Sequence, residues 1–212
     1  MLMPGKIDKK IENTAVIVVD VQGDFTLLKQ GSLAVEGTDQ QYLNQVVTEV
    51  YRLKALGFPI IATQDWHPND HMSFFTNHDD QSAFDTIKVN NTTQVLWPPH
   101  CIQGTKNAEV LVDNCLFDAI VKKGTNPAYD SYSGFFDDGG HSTGLGEMLK
   151  DQGVDKLIIF GLTTDYCARA TALDAITLGF GVILIKDLCR GVAKETTRAA
   201  LKEMAAARVD IY

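Results

Sequence analysis

Short runs of β-branched and apolar residues alternate with helical patterns along most of this chain, and that alternation restricts its fold more than any other feature. Ala15 to Val19 is a continuous apolar run ending at Asp20, the pattern of a strand buried on both faces. Thr38 to Leu56 reads as a helix, with Leu43, Val46, Val47, Val50 and Leu53 at helical spacing and Gly57 as its stop. Pro59 to Thr63 is a second strand running into Asp65, Ala119 to Lys123 a third stopped by Gly124, Lys156 to Phe160 a fourth and Val182 to Ile185 a fifth. Helices are expected over Asn107–Asn114, Thr143–Asp151, Thr164–Leu178 and Val192–Ala206, with a short final strand from Arg208 to Ile211. Such alternation implies a parallel sheet covered on both sides. The expected fold is therefore α/β: one domain over residues 1–212, an open and mainly parallel sheet with helices on both faces. Residues 1–12 form an N-terminal extension whose order the sequence leaves open.

Charge and composition narrow the function. A net charge of −8 over 212 residues argues against a nucleic-acid partner, which demands a basic face. No run of 18 apolar residues occurs, so no membrane span is expected, and the N-terminus lacks the apolar core of a signal peptide. The four cysteines, Cys101, Cys115, Cys167 and Cys189, form no CxxC pair, which suits reduced thiols in the cytoplasm. A homo-oligomer is compatible with all of this.

Ligands of open α/β sheets bind beyond the carboxyl ends of the strands. Asp20 ends the first strand, Asp65 follows the second, Lys123 ends the third and Cys167 follows the fourth. Thr164 or Asp165 can cap the helix that begins there, placing Cys167 in its first turn. In that turn free N–H groups and the helix dipole favour thiolate and can hold an oxyanion. Asp20 can take the thiol proton and pass it to a leaving amine, and Lys123 would stabilise the charged forms. Lys122 competes for that role, but alternation sends only one of the pair to the rim, and Lys123 directly precedes the turn. Cys101, beside His100, could serve as a metal ligand but reads rather as a packing residue, and Cys115 and Cys189 read as structural.

A second group lies in the aperiodic stretch from Trp66 to about Thr105, a length of loop that is usually functional. Asp65, His67, His71 and His100 put one carboxylate and three of the five histidines close together in sequence. Imidazole with carboxylate suits one divalent ion, Zn²⁺ foremost, with Fe²⁺ or Mn²⁺ as alternatives. His78 and His141 lack such company and read as surface residues.

Taken together, Val18-Val19-Asp20-Val21-Gln22-Gly23-Asp24-Phe25, Asp65-Trp66-His67-Pro68, Trp97-Pro98-Pro99-His100-Cys101, Lys123-Gly124 and Gly161-Leu162-Thr163-Thr164-Asp165-Tyr166-Cys167 resemble the nicotinamidases of the isochorismatase-like cysteine hydrolases. The resemblance implies a Rossmann-like three-layer fold and hydrolysis of nicotinamide to nicotinate and ammonia through a cysteine thioester. It implies Asp20, Lys123 and Cys167 as catalytic residues, and Asp65, His67, His71 and His100 as metal ligands. It further implies a cis Leu162–Thr163 peptide, an oxyanion hole at the N–H groups of Thr163 and Cys167, and a ring pocket of Phe25, Trp97 and Tyr132. Gly23 and Thr163 depart from the family's usual Asn and Ala. The rivals are another small-amide hydrolase with the same triad and a non-catalytic binding module.

Overall fold

In a computed structural model, Ile7, residues 11–89 and residues 92–212 are described. The expectation on residues 1–12 falls largely outside them, although Ile7 itself is buried in the core. Among the described residues, six strands form the main sheet in the order β5-β2-β1-β6-β7-β8: β1 (Thr14–Val19), β2 (Ile60–Asp65), β5 (Ala119–Lys123), β6 (Lys156–Leu162), β7 (Gly181–Arg190) and β8 (Asp210–Ile211). Every pairing in it is parallel. The helices α1 (Gln40–Ala55), α2 (Leu145–Asp151), α3 (Cys167–Thr177) and α4 (Lys194–Ala206) cover the two faces. This is the expected α/β architecture. None of the helices among the described residues is long and apolar enough to cross a membrane.

All six residues of β1 and all six of β2 are buried, the apolar runs filling the core while the polar Thr63, Gln64 and Asp65 are buried where β2 reaches the crevice. On α1, Tyr42, Val46, Val50 and Leu53 carry the buried stripe, and the Asp39 carboxylate caps the helix by accepting the Tyr42 N–H at 3.0 Å. The chain first works outward from β1 to β2 and β5, then returns to the other side of β1 with β6, β7 and β8. The strand order therefore reverses between β1 and β6, and the crevice at such a reversal is where ligands settle.

Three elements differ from expectation. The stretch before Trp97 holds an antiparallel hairpin, β3 (Thr86–Val89) with β4 (Thr92–Val95), apart from the main sheet. The helix expected over Asn107–Asn114 is instead two 3₁₀ turns, Lys106–Ala108 and Asn114–Leu116. Between them the chain is drawn alongside Gln22, where Leu111 N–H donates to the Val21 carbonyl at 2.9 Å. Finally, β7 runs on to Arg190 through an irregularity that moves its pairing from Ile159 with Leu184 to Gly161 with Cys189. The charged Lys186 and Asp187 sit in the displaced segment, which is why the apolar run alone ended too early.

Gly161 lies where β6 passes β1, at φ +131°, and a Cβ there would stand 2.1 Å from the Val19 carbonyl oxygen. Neither strand can yield, since both are central. Gly161→Ala is expected to lower stability by about 3 kcal/mol, read as a reduced denaturation midpoint with unchanged slope.

Candidate active site

Four neighbouring strands each deliver one reactive group to the crevice. Lys123, at the end of β5, is 1% exposed, an arrangement that requires anionic partners. Its Nζ lies 3.0 Å from Asp20 Oδ2, contacts Asp65 Oδ1, donates to the Ser131 carbonyl at 2.7 Å and reaches Cys167 Sγ at 3.4 Å. Lys122 points the other way, with its ammonium 3.8 Å above the Trp66 ring, so strand alternation decides between the two lysines.

Asp20, just past β1 and fully buried, accepts the Thr63 hydroxyl at 2.6 Å on Oδ1. Its Oδ2 touches Lys123 but receives no aligned hydrogen bond, leaving lone-pair capacity beside the sulfur. Asp20, Asp65 and Cys167 each place one atom within 4.8 Å of the others. Burial pushes the Asp20 carboxyl up despite the Lys123 ammonium. Burial likewise pushes the Cys167 thiol well above its ordinary range, Lys123 opposing and Asp20 adding to the rise. The helix start does not by itself yield a thiolate here; ionisation of Cys167 needs an acceptor for its proton, and Asp20 is beside it.

The turn carrying Cys167 has the peptide geometry that the resemblance implied but not the helix cap expected from the sequence. The Leu162–Thr163 peptide is cis, and the Thr163 carbonyl accepts the N–H groups of Tyr166 and Ala168 at 3.2 and 3.0 Å. Tyr166 stands at the N-cap of α3 without a side-chain cap bond, so neither Thr164 nor Asp165 caps that helix. Asp165 instead accepts the N–H groups of Val192 and Ala193 at 3.0 and 3.2 Å, tying the Cys167 turn to the chain entering α4. Cys167 is the first residue of α3, where a backbone N–H has no intrahelical acceptor.

The structure brings together three of the four expected metal ligands. Asp65, His67 and His100 each offer one atom within 4.8 Å of the others, all buried. His67 Nδ1 meets the Gly124 carbonyl at 2.9 Å and His100 Nδ1 the Pro98 carbonyl at 2.8 Å; each ring is thereby held by Nδ1–H with Nε2 left to ligate. His71 packs its ring 4.3 Å from that of His67, but its nitrogens face Ser73 Oγ and the Tyr129 carbonyl at 2.8 and 3.1 Å, outside the trio. Burial lowers His71 and His100 to about 4, so both are neutral, the form that ligates. Burial acts upward on Asp65, yet Lys123, His67 and His100 outweigh it and hold the carboxylate far below its usual range. A buried carboxylate facing two Nε2 atoms on fixed rings is a donor set that fits a divalent ion such as Zn²⁺.

Beside these groups opens a cavity of about 170 Å³, lined by the expected Phe25, Trp97 and Tyr132 together with Asp65, His100 and Cys167. The Trp97 indole N–H donates to the Tyr132 hydroxyl at 3.0 Å, fixing two walls against each other. His78 is half-buried and His141 exposed, both away from the trio. Cys101 and Cys189 are buried as expected, but Cys115 is exposed and does not pack; all four cysteines are free thiols.

Several positioning residues escaped the sequence reading. Gln22 grips Asp65 through both backbone groups, its Oε1 accepting the N–H and its Nε2 donating to the carbonyl, each at 2.8 Å. Asp24 accepts the Cys101 N–H at 2.7 Å, steadying the neighbour of His100. Both lie in the run Val21–Phe25, whose polar residues between apolar neighbours were the available signal. Gly23 has a local cause as well: a Cβ there would come 2.8 Å from Asn107 Cα.

Residues 14–211 match the isochorismatase domain model, and the chain belongs to that family. It is 42% identical over 187 residues to a nicotinamidase of Acinetobacter baylyi, covering 87% of this chain and 84% of the relative. Among solved structures, an Acinetobacter baumannii nicotinamidase/pyrazinamidase superposes with a TM-score of 0.86 at 36% identity, over 96% of this chain and 97% of that one. A pyrazinamidase of Pyrococcus horikoshii in complex with zinc gives 0.79 at 36% identity, over 94% and 98%. The resemblance to nicotinamidases drawn from the motifs is borne out.

Proposed function

We propose that this chain is a cytoplasmic, metal-dependent nicotinamidase that hydrolyses nicotinamide to nicotinate and ammonia. The observation that carries the reading is the Lys123 ammonium, in contact with Asp20 and Asp65 and 3.4 Å from Cys167 Sγ. It joins a nucleophile and its base to the metal-ligand group in one buried cluster. The zinc-bound pyrazinamidase and the nicotinamidase relatives support it.

Asp20 takes the thiol proton as Cys167 Sγ bonds to the amide carbon, and the N–H groups of Thr163 and Cys167 receive the oxyanion. Asp20 returns that proton to the departing nitrogen, which leaves as ammonia while the acyl group stays on sulfur. Asp20 then deprotonates a water that attacks the thioester; that proton goes back to sulfur as the acyl–sulfur bond breaks, and the acid formed gives its remaining proton to solvent and leaves as nicotinate. Lys123 keeps Asp20 ionised between these transfers. Asp65, His67 and His100 would hold the ion, which when bound supplies a Lewis-acid site for the pyridine nitrogen. Phe25, Trp97 and Tyr132 enclose the ring and keep the carboxamide within reach of the sulfur.

The direct test is ammonia release from nicotinamide alongside metal analysis. Chelation is expected to weaken binding of nicotinamide at least tenfold more than that of benzamide, which lacks the ring nitrogen. Equal losses would remove the contact between metal and ring nitrogen from the reading.

A further inference from the structure

One residue at the mouth of the ring cavity carries a cost that the reaction above does not explain. Phe84 has φ +73°, a backbone region that bulky side chains avoid. Its neighbours leave it no choice: Phe84 N–H donates to the Leu96 carbonyl at 2.6 Å and Leu96 N–H returns to the Asp85 carbonyl at 2.8 Å. The Ser82 N–H is also held by Asp85 Oδ2 at 2.7 Å. This over-determined turn does not bury the ring, which is 59% exposed. It aims it at the cavity, edge-on to Trp97 with centroids 6.1 Å apart. Strained residues of this kind cluster at ligand-binding positions, and this one stands beside the cavity. Val192, 46% exposed, lines the same mouth from the chain before α4, and Leu33, Ala34 and Val35 extend the apolar surface.

The cavity therefore has two unlike sides. Its inner side is polar and reactive, with Asp65 and His100 at one end and Cys167 at the other; its outer side is apolar. This inference rests on the orientation proposed above, with the ring nitrogen toward Asp65 and His100 and the carboxamide toward Cys167. In a pyridine-3-carboxamide the carbon meta to both of those points is C5, so C5 is the edge turned to the mouth. We propose that Phe84 is a specificity-determining residue, and that it forms with Val192 an apolar subsite for an uncharged alkyl substituent at the 5-position of a nicotinamide.

The test compares kcat/KM of the metal-loaded protein for 5-propylnicotinamide and for nicotinamide, in the wild type and in Phe84→Ala and Phe84→Gly. The wild type is expected to cleave the propyl compound at least as efficiently as nicotinamide. Both variants should cut the ratio of the two efficiencies about tenfold, the scale of a few apolar contacts, with kcat for nicotinamide within twofold of wild type. Glycine adopts this φ freely, so Phe84→Gly should melt with the wild type. Equal ratios in all three proteins, or a wild type that cleaves nicotinamide but rejects the propyl compound, would overturn the subsite. Absence of ammonia release from nicotinamide itself would instead overturn the activity on which the subsite depends.

Discussion

Cys167→Ala is expected to release no measurable ammonia from nicotinamide while binding it within about threefold of wild type. The loss should be on the order of 10⁴-fold or more in kcat, because the variant has no other group placed to form the acyl intermediate. Binding should survive because it draws on other atoms: the aromatic walls Phe25, Trp97 and Tyr132 and the Asp65, His67 and His100 trio. The fold should survive as well, since Lys123 keeps Asp20, Asp65 and the Ser131 carbonyl after losing its 3.4 Å contact with sulfur. Calorimetric titration with nicotinamide, run beside the ammonia assay, separates the two effects. If affinity fell as far as turnover, Cys167 would be a binding residue and the covalent step would have to be abandoned.

How much of this was legible in the residues follows from where each signal sits. Strands β1, β2, β5 and β6 lead into Asp20, Asp65, Lys123 and the Cys167 turn; β1, β2 and β6 are apolar runs buried on both faces, and β5 is a short edge run stopped by Gly124. The residues that terminate them could thus be placed on one rim without coordinates. Distances across the rim needed the register, for instance Asp65 opposite Lys123. Periodicity failed where side chains serve a neighbouring loop rather than their own element. Asp165 looked like a cap for α3 but binds the chain before α4, and Lys186 and Asp187 looked like a strand end but occupy an irregularity within β7. His71 shows the same limit, because sequence proximity to His67 does not say which way a ring nitrogen faces. The depressed thiol expected from the helix start was outweighed by burial, a quantity that composition does not carry.

Lys123→Met should abolish turnover and destabilise the protein by about 3–5 kcal/mol at neutral pH, the range for removing one member of a buried ion group. Methionine nearly matches the volume, so packing is not the cause. What is lost is the cation between Asp20 and Asp65, whose side chains are 0% and 5% exposed. A second substitution, Asp20→Asn, removes one of the stranded charges and is expected to restore part of the stability but none of the activity, giving a favourable coupling in the double-mutant cycle. Acid should act in the same direction. Burial already lifts Asp20 above its ordinary value of 3.8 with Lys123 in place, and without the ammonium that opposing influence is gone. A carboxyl with a raised folded value binds protons more readily in the native state. The variant's stability should therefore recover as the pH falls through that raised value toward 3.8. Urea denaturation of the single and double variants at neutral and mildly acidic pH provides the measurement. A deficit below about 1 kcal/mol, unchanged by Asp20→Asn, would mean that the amine does not hold these carboxylates together.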